Sequence, residues 1–129
     1  MRNLKRLHHA EVPIAAGTDA GNLGTPHGTA LFREFEHMQT AGLTPREILA
    51  IATAGGARLL GRVDFGQIDA GMQANLVVLN ENPFADISNA SSIHRVVKAG
   101  RIYTPTERTL RPPEGVSARS SGPNALLQL

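Results

Sequence analysis

Cysteine and tryptophan are absent from the sequence, Tyr103 is its one tyrosine, and there are four phenylalanines. The missing cysteines exclude a disulfide scaffold, thiolate zinc sites and thiol catalysis. So few aromatic rings leave no stacking platform for single-stranded nucleic acid. An excess of one charge sign is missing too. Thirteen Lys and Arg stand against 11 Asp and Glu, a net charge of +2, and the basic residues are scattered. A block of five like charges, the mark of a nucleic-acid surface, does not occur. No apolar run approaches the roughly 18–20 residues of a membrane span. The N-terminal MRNLKRLHHAEV lacks the apolar stretch of a secretory signal. The expectation is a chain with neither nucleic acid nor membrane as partner, cytoplasmic by default.

What is present suits a folded core. Hydrophobic residues make up 41% and charged residues 19% of the 129 positions, unlike a disordered composition. That length matches one ordinary domain of roughly 100–200 residues. It also sets a ceiling, because a complete eight-fold β/α barrel takes roughly 250 residues. Half of such a barrel is the most this chain can hold.

Along the chain, residues 2–9 suit a short amphipathic helix with Leu4 and Leu7 on one side. Val12-Pro13-Ile14-Ala15-Ala16 reads as a buried strand of a parallel sheet, with Pro13 tolerable near its start. Residues 17–28 form a glycine-rich polar loop. A helix is predicted from about Thr29 to Thr40, with Leu31, Phe35 and Met38 on one face and Gly42 as its C-cap. Thr44-Pro45-Arg46-Glu47 carries a capping box and an N-terminal proline, opening a second helix through Ile48, Leu49, Ile51 and Ala52. Gly55-Gly56 is expected to break or kink it, and Gly61 to stop it.

The character changes near residues 61–66. Residues 66–71 read as a turn, and Asn75–Asn80 as a strand of high β-propensity. Asn82-Pro83-Phe84 turns the chain. Ile93–Ala99 and Arg101–Tyr103 are strand candidates around a tight turn at Gly100. From Thr104 onward, Pro105, Pro112, Pro113 and Pro123 mark what reads as a mobile tail. The expected division is 1–62, 63–103 and 104–129.

Asp19 is the most informative residue for chemistry. It follows the C-terminal end of an apolar strand candidate, in a glycine-rich loop, where α/β folds and barrels place catalytic groups. A carboxylate there can ligate a metal or move a proton; it can equally cap a turn. His27 lies in the same loop, either at the mouth of the same site or as an ordinary polar loop residue. The loop has neither the Gly-Lys-Ser/Thr of a P-loop nor G-x-G-x-x-G, which argues against a nucleotide. His8-His9 has the wrong spacing for chelation, since a strand needs His-x-His and a helix needs i, i+4. These two are expected in solvent, and His37 and His94 to be structural or exposed.

Taken in order, VPIAAGTDAG, PHGTALFREFEHMQTAGLTPREILAIATAGGARLLG, GQIDAGMQANLVVLNENPFADI and VVKAGRIY resemble the C-terminal part of metal-dependent amidohydrolases. The similarity is to the imidazolonepropionase-like and prolidase-like branch and spans residues 1 to about 103. Gly17-Thr18-Asp19-Ala20-Gly21 resembles the end of the family's barrel strand eight. Ala41-Gly42-Leu43-Thr44-Pro45 resembles its helix-helix junction. Ala74-Asn75-Leu76-Val77-Val78-Leu79 resembles a strand usually written Ala-Asp-Leu-Val-Val-Leu, with Asn75 in place of the aspartate.

The resemblance implies an α/β fold: the C-terminal fragment of a (β/α)8 TIM barrel plus part of a small β-sandwich domain. Val12–Thr18 would be strand eight, and 66–103 the C-terminal share of the sandwich. It implies hydrolysis of a C–N bond in a small amide, cyclic amide or peptide, with a divalent metal, commonly zinc, activating water. Asp19 would ligate the metal and carry a proton from the water to the leaving amine. His27 would contact substrate. The family's other ligands are a His-x-His, a lysine or acid on strand four, and histidines on strands five and six. None has a counterpart here, and a catalytic zinc normally takes three protein ligands. The expectation is thus a fragment inactive alone. Its alternatives are a non-catalytic interaction module, as a homo-oligomer, or half of a split enzyme with a complementing N-terminal chain.

Overall fold

A computed structural model describes residues 2–104 and 125–128 of the chain. Helix α1 spans Arg2–His9, α2 Ala30–Thr40 and α3 Pro45–Ala50. A single π-helical turn, Ile51–Gly55, carries α3 directly into α4, Gly56–Leu59. Strands β1 (Leu76–Leu79), β2 (Ile93–Lys98), β3 (Arg101–Tyr103) and β4 (Ala125–Gln128) form one antiparallel sheet in the order β3-β2-β1-β4.

Local chemistry accounts for most of these elements. In α2 the expected face is turned inward: Phe35 and Met38 are buried and Leu31 half-buried. Gly42 ends the helix with φ of 97°, and the Leu43 N–H closes back on the Met38 carbonyl. The Thr44 hydroxyl accepts the Glu47 N–H, while Glu47 Oε2 takes the Thr44 N–H and hydroxyl, each at 2.7 Å. These bonds hold the Glu47 carboxyl below the usual carboxylate range, first through the Thr44 amide and then its hydroxyl. His8 Nε2 lies 3.3 Å from Glu47 Oε1, a polar contact that ties α1 to the start of α3. The β2–β3 turn places Ala99 and Gly100 at φ of 47° and 79°, as a two-residue hairpin with the strands' twist requires. Asn75 Oδ1 accepts the Ala99 N–H at 2.9 Å and braces that turn.

One apolar core joins the helices to the chain between β1 and β2. Phe35, Met38, Leu43, Ile48, Leu49 and Ile51 pack with Ile87 and Ala90, which lie on a 3-10 turn at Ile87–Ser91. Asp86 caps that turn by accepting the Ser88 N–H at 3.0 Å. Arg46 on α3 lies 5.2 Å from the Phe84 ring, a second link between the halves. The composition change at 61–66 therefore marks a change of element type inside a continuous core.

Three expectations need correction. Val12–Ala16 is not a strand: among the described residues, the amides of Ile14 to Thr18 make no backbone hydrogen bond. A parallel strand draws its bonds from both neighbours, and the described residues supply neither neighbour. The barrel strand implied at Val12–Thr18 is thus absent as a paired element, and the sheet that forms is antiparallel. Gly55-Gly56 does not break the helix. It continues through the π-turn, with the Gly56 N–H bonded to the Ile51 carbonyl. Residues 125–128, read from sequence as tail, form β4; residues 105–124 lie outside the described residues.

A backbone contact requires the glycine at the end of the π-turn. A Cβ on Gly55 would lie 2.7 Å from the Ile14 carbonyl oxygen. The widened turn and the missing side chain let segment 12–16 lie flush on the helix. Gly66 does the same for the chain after α4: a Cβ there would meet the Ala57 side chain at 2.8 Å, and its φ is 94°.

Two outcomes follow. Gly55→Ala and Gly66→Ala each lower unfolding free energy by about 1–3 kcal/mol in denaturant titration; an unchanged midpoint for both contradicts the close packing. The capping box makes stability pH-dependent. Because the folded Glu47 carboxyl lies below its unfolded value, its contribution is complete above about pH 4–4.5. It fades as pH falls through the folded value. Glu47→Gln flattens this part of an acid titration followed by helical circular dichroism.

Candidate functional site

Asp19 stands at the end of segment 12–18, exposed, with φ of 47°. Left-handed backbone is uncommon outside glycine, and aspartate is among the residues that tolerate it. The following loop supplies what holds it there. Asn22 Nδ2 donates to the Asp19 carbonyl at 3.0 Å and to Asp19 Oδ2 at 2.7 Å. Thr25 Oγ1 donates to the same carbonyl at 3.1 Å and also lies 3.2 Å from the Asn22 carbonyl. The Gly21 N–H closes the loop on the Thr25 carbonyl at 2.9 Å. One carboxylate oxygen is thus fixed by Asn22. Oδ1 has no hydrogen-bond partner among the described residues.

His27 returns to the same loop. A Cβ on Gly21 would lie 3.3 Å from His27 Nε2, so the imidazole sits over the Gly21 backbone, two residues from Asp19. Gly21 has φ of 107° and is the one position of the turn that must stay bare for both reasons. The structure therefore brings Asp19 and His27 into one exposed loop.

The remaining histidines lie elsewhere. His37 is exposed on α2 and His94 exposed on β2. His8 was expected in solvent with His9; it is instead half-buried against Glu47. His9 lines an open cleft of about 610 Å³ with Lys5, Arg6, Ala10 and Ala41. Sequence reasoning named Asp19 and His27 but missed Asn22 and Thr25, which set the geometry of Asp19. Their signal is the spacing: a side-chain amide three residues on and a hydroxyl six residues on can both reach a carbonyl at a turn.

The sequence profile of the amidohydrolase family matches residues 1–103. The chain belongs to that family. Among curated relatives, the imidazolonepropionase of Shouchella clausii is 32% identical over 104 residues, covering 78% of this chain and 23% of the relative. The ochratoxinase of Aspergillus niger is 33% identical over 99 residues, covering 73% of this chain and 20% of the relative. Among solved structures, a Xaa-Pro dipeptidase with methionine bound in its active site superposes with a TM-score of 0.72 and 34% identity. It covers 80% of this chain and 25% of the dipeptidase. The chain thus spans about a quarter of the length of these relatives.

Amidohydrolases are generally metal-dependent. The donor set of the described residues does not fit such a centre. Among the described residues, no three His, Asp or Glu side chains converge closely enough to hold an ion. Asp19 is exposed and already shares one oxygen with Asn22. A single carboxylate falls short of the three protein ligands of a catalytic zinc. What the loop can do by itself is present one oriented carboxylate oxygen with an imidazole nearby. Among the described residues, no helix is long and apolar enough to cross a membrane.

Gly21→Ala tests the arrangement. The new methyl group meets His27, and a positive φ disfavours alanine, costing about 1 kcal/mol or more. The His27 ring resonances shift in the proton–carbon spectrum while those of His94 stay in place. Unmoved His27 signals contradict the packing of His27 on Gly21.

Proposed function

We propose that this chain is the C-terminal share of an amidohydrolase that cleaves C–N bonds in small amides, cyclic amides or peptides. The observation that carries the reading is Asp19, held by Asn22 and Thr25 at the mouth of a Gly-rich loop, within a family match over residues 1–103. The similarity to an imidazolonepropionase and a Xaa-Pro dipeptidase supports this bond class. On this proposal residues 1–62 close a β/α barrel, 63–103 contribute strands to a β-sandwich, and 104–129 form an appended segment.

Asp19 would act as the proton carrier. Its Oδ1, without a hydrogen-bond partner among the described residues, would accept a proton from attacking water. The same oxygen then returns it to the departing amine nitrogen, which cannot leave as an anion. The water's oxygen forms the new bond to the acyl carbon as the C–N bond breaks, and the proton ends on the amine. His27, over Gly21, would contact the substrate from the side of the loop. The complete enzyme would use a divalent metal, zinc in our reading, to activate the water. Its other ligands would have to come from outside these 129 residues, so the chain alone is proposed to be inactive.

A chimera tests both parts. The last quarter of an imidazolonepropionase is replaced by residues 1–104 of this chain. Expected is recovered hydrolysis, lost by at least about 100-fold in Asp19→Asn, the usual range for a general acid–base group. His27→Ala should raise KM more than it lowers kcat. The 129-residue chain alone, incubated with zinc, should retain no stoichiometric metal and show no turnover. Turnover by the chain alone, or an active Asp19→Asn chimera, overturns the proposal.

A further inference from the structure

The Asn22 side chain is not what closes the loop that contains it. Main chain does that already. The Gly21 N–H bonds to the Thr25 carbonyl at 2.9 Å, and the Thr25 N–H to the Asn22 carbonyl at 3.1 Å. Both bonds donated by the Asn22 amide go to Asp19 instead: to its carbonyl at 3.0 Å and to Oδ2 at 2.7 Å. One amide group thus bridges the main chain and the carboxylate of a single residue. We infer, on the reading of Asp19 as proton carrier, that Asn22 is a positioning residue for the hydrolysis. It locks the Asp19 side chain in one orientation and reserves Oδ1 as the oxygen that exchanges the proton.

Asp19 is exposed. An exposed, unrestrained carboxylate turns about two torsions, and the outer one is broad and roughly two-fold. Its oxygens then interchange. A bond to Oδ2 alone would restrain the outer torsion. The second bond, to the carbonyl, ties the carboxylate to its own backbone and restrains the inner torsion as well. A hydrogen bond to a charged acceptor is shorter and roughly twice as strong as a neutral one, and 2.7 Å fits that class. Thr25 Oγ1 holds the same carbonyl from a second side at 3.1 Å. The two oxygens thereby become chemically distinct. A hydrogen on Oδ2 would face the Asn22 N–H, donor against donor, so a neutral Asp19 carries its hydrogen on Oδ1. That oxygen has no hydrogen-bond partner among the described residues, which leaves it open to water and to the departing nitrogen. Orientation of this kind weighs on rate, since a misplacement of about 1 Å can cost about a hundredfold.

The 129-residue chain tests the lock directly. Asp19 should show two unequal Hα–Hβ couplings by NMR, the mark of one side-chain rotamer. They should converge in Asn22→Leu, a near-isosteric change that removes the donor at an exposed position, with the unfolding midpoint unchanged. Equal couplings in the parent chain overturn the inference whatever the activity. In the imidazolonepropionase chimera, Asn22→Leu is expected to lower kcat by about tenfold to a hundredfold and to leave KM within about twofold. Thr25→Val loses the hydroxyl and should lower kcat in the same way, with rescue by Thr25→Ser. A loss seen only as a raised KM or a lowered midpoint shows a structural role and overturns the inference. Full kcat in Asn22→Leu, with Asp19→Asn inactive, overturns the positioning role and spares the reading of Asp19. An active Asp19→Asn chimera overturns that reading, and the inference with it.

Discussion

The place of Asp19 depends on one contact between two stretches of backbone. The Ile14 carbonyl lies where a side chain on Gly55 would be, at 2.7 Å from the missing Cβ. Segment 12–18 has no strand partner among the described residues, so this approach to the helix does much of the work of a ladder. It sets the path of the chain into Gly17 and Thr18 and hence the position from which Asp19 projects. The π-turn at Ile51–Gly55 is the matching adjustment on the other side. It brings Gly55 to the contact while Thr53 returns its hydroxyl to the Leu49 carbonyl at 2.8 Å.

From that anchor the candidate site is built by short polar contacts, and its support by apolar ones. Asn22 and Thr25 hold a left-handed aspartate whose backbone would otherwise relax. His27 comes back across Gly21 because the loop closes between the Gly21 N–H and the Thr25 carbonyl. Behind the loop, α2 fixes the exit through Ala30, Phe35 and Met38, all buried. Ile87 and Ala90, on the 3-10 turn between β1 and β2, pack into the same core, so the helices and that turn stabilise one another. The site thus rests on both halves, although each of its own residues comes from 19–27.

Much of this was legible because it is local. The Thr44–Glu47 box, the face of α2, the stop at Gly42, strand β1 and the β2–β3 turn each need only a few neighbouring residues. All form where the pattern puts them. What failed was non-local. The apolar run Val12–Ala16 has the composition of a parallel strand, but a strand is a relation between two segments and its partners are not among the described residues. Gly55-Gly56 looked like a break or a kink because propensity alone disfavours glycine in a helix; the helix instead runs on through a π-turn, where Gly55 meets the Ile14 carbonyl. His8 looked solvated until α3 placed Glu47 beside it. A C-terminal Ala-Leu-Leu-Gln has no partner in its own neighbourhood, and only the sheet order shows that β1 receives it.

The sequence by itself determined the family, the helix caps and the hairpin, and it put forward Asp19 and His27 as candidates, since all are written in residue identity and short spacing. Length also spoke plainly: at 129 residues the chain covers about a quarter of its relatives. Only the tertiary structure decided how Asp19 is held, that His27 packs on Gly21, that Ile87 and Ala90 join the core of the helices, and that no metal-binding set converges among the described residues. The reason is physical. A hydrogen bond across a turn depends on neighbours in sequence, whereas coordination, strand pairing and close backbone contact depend on which distant segments meet.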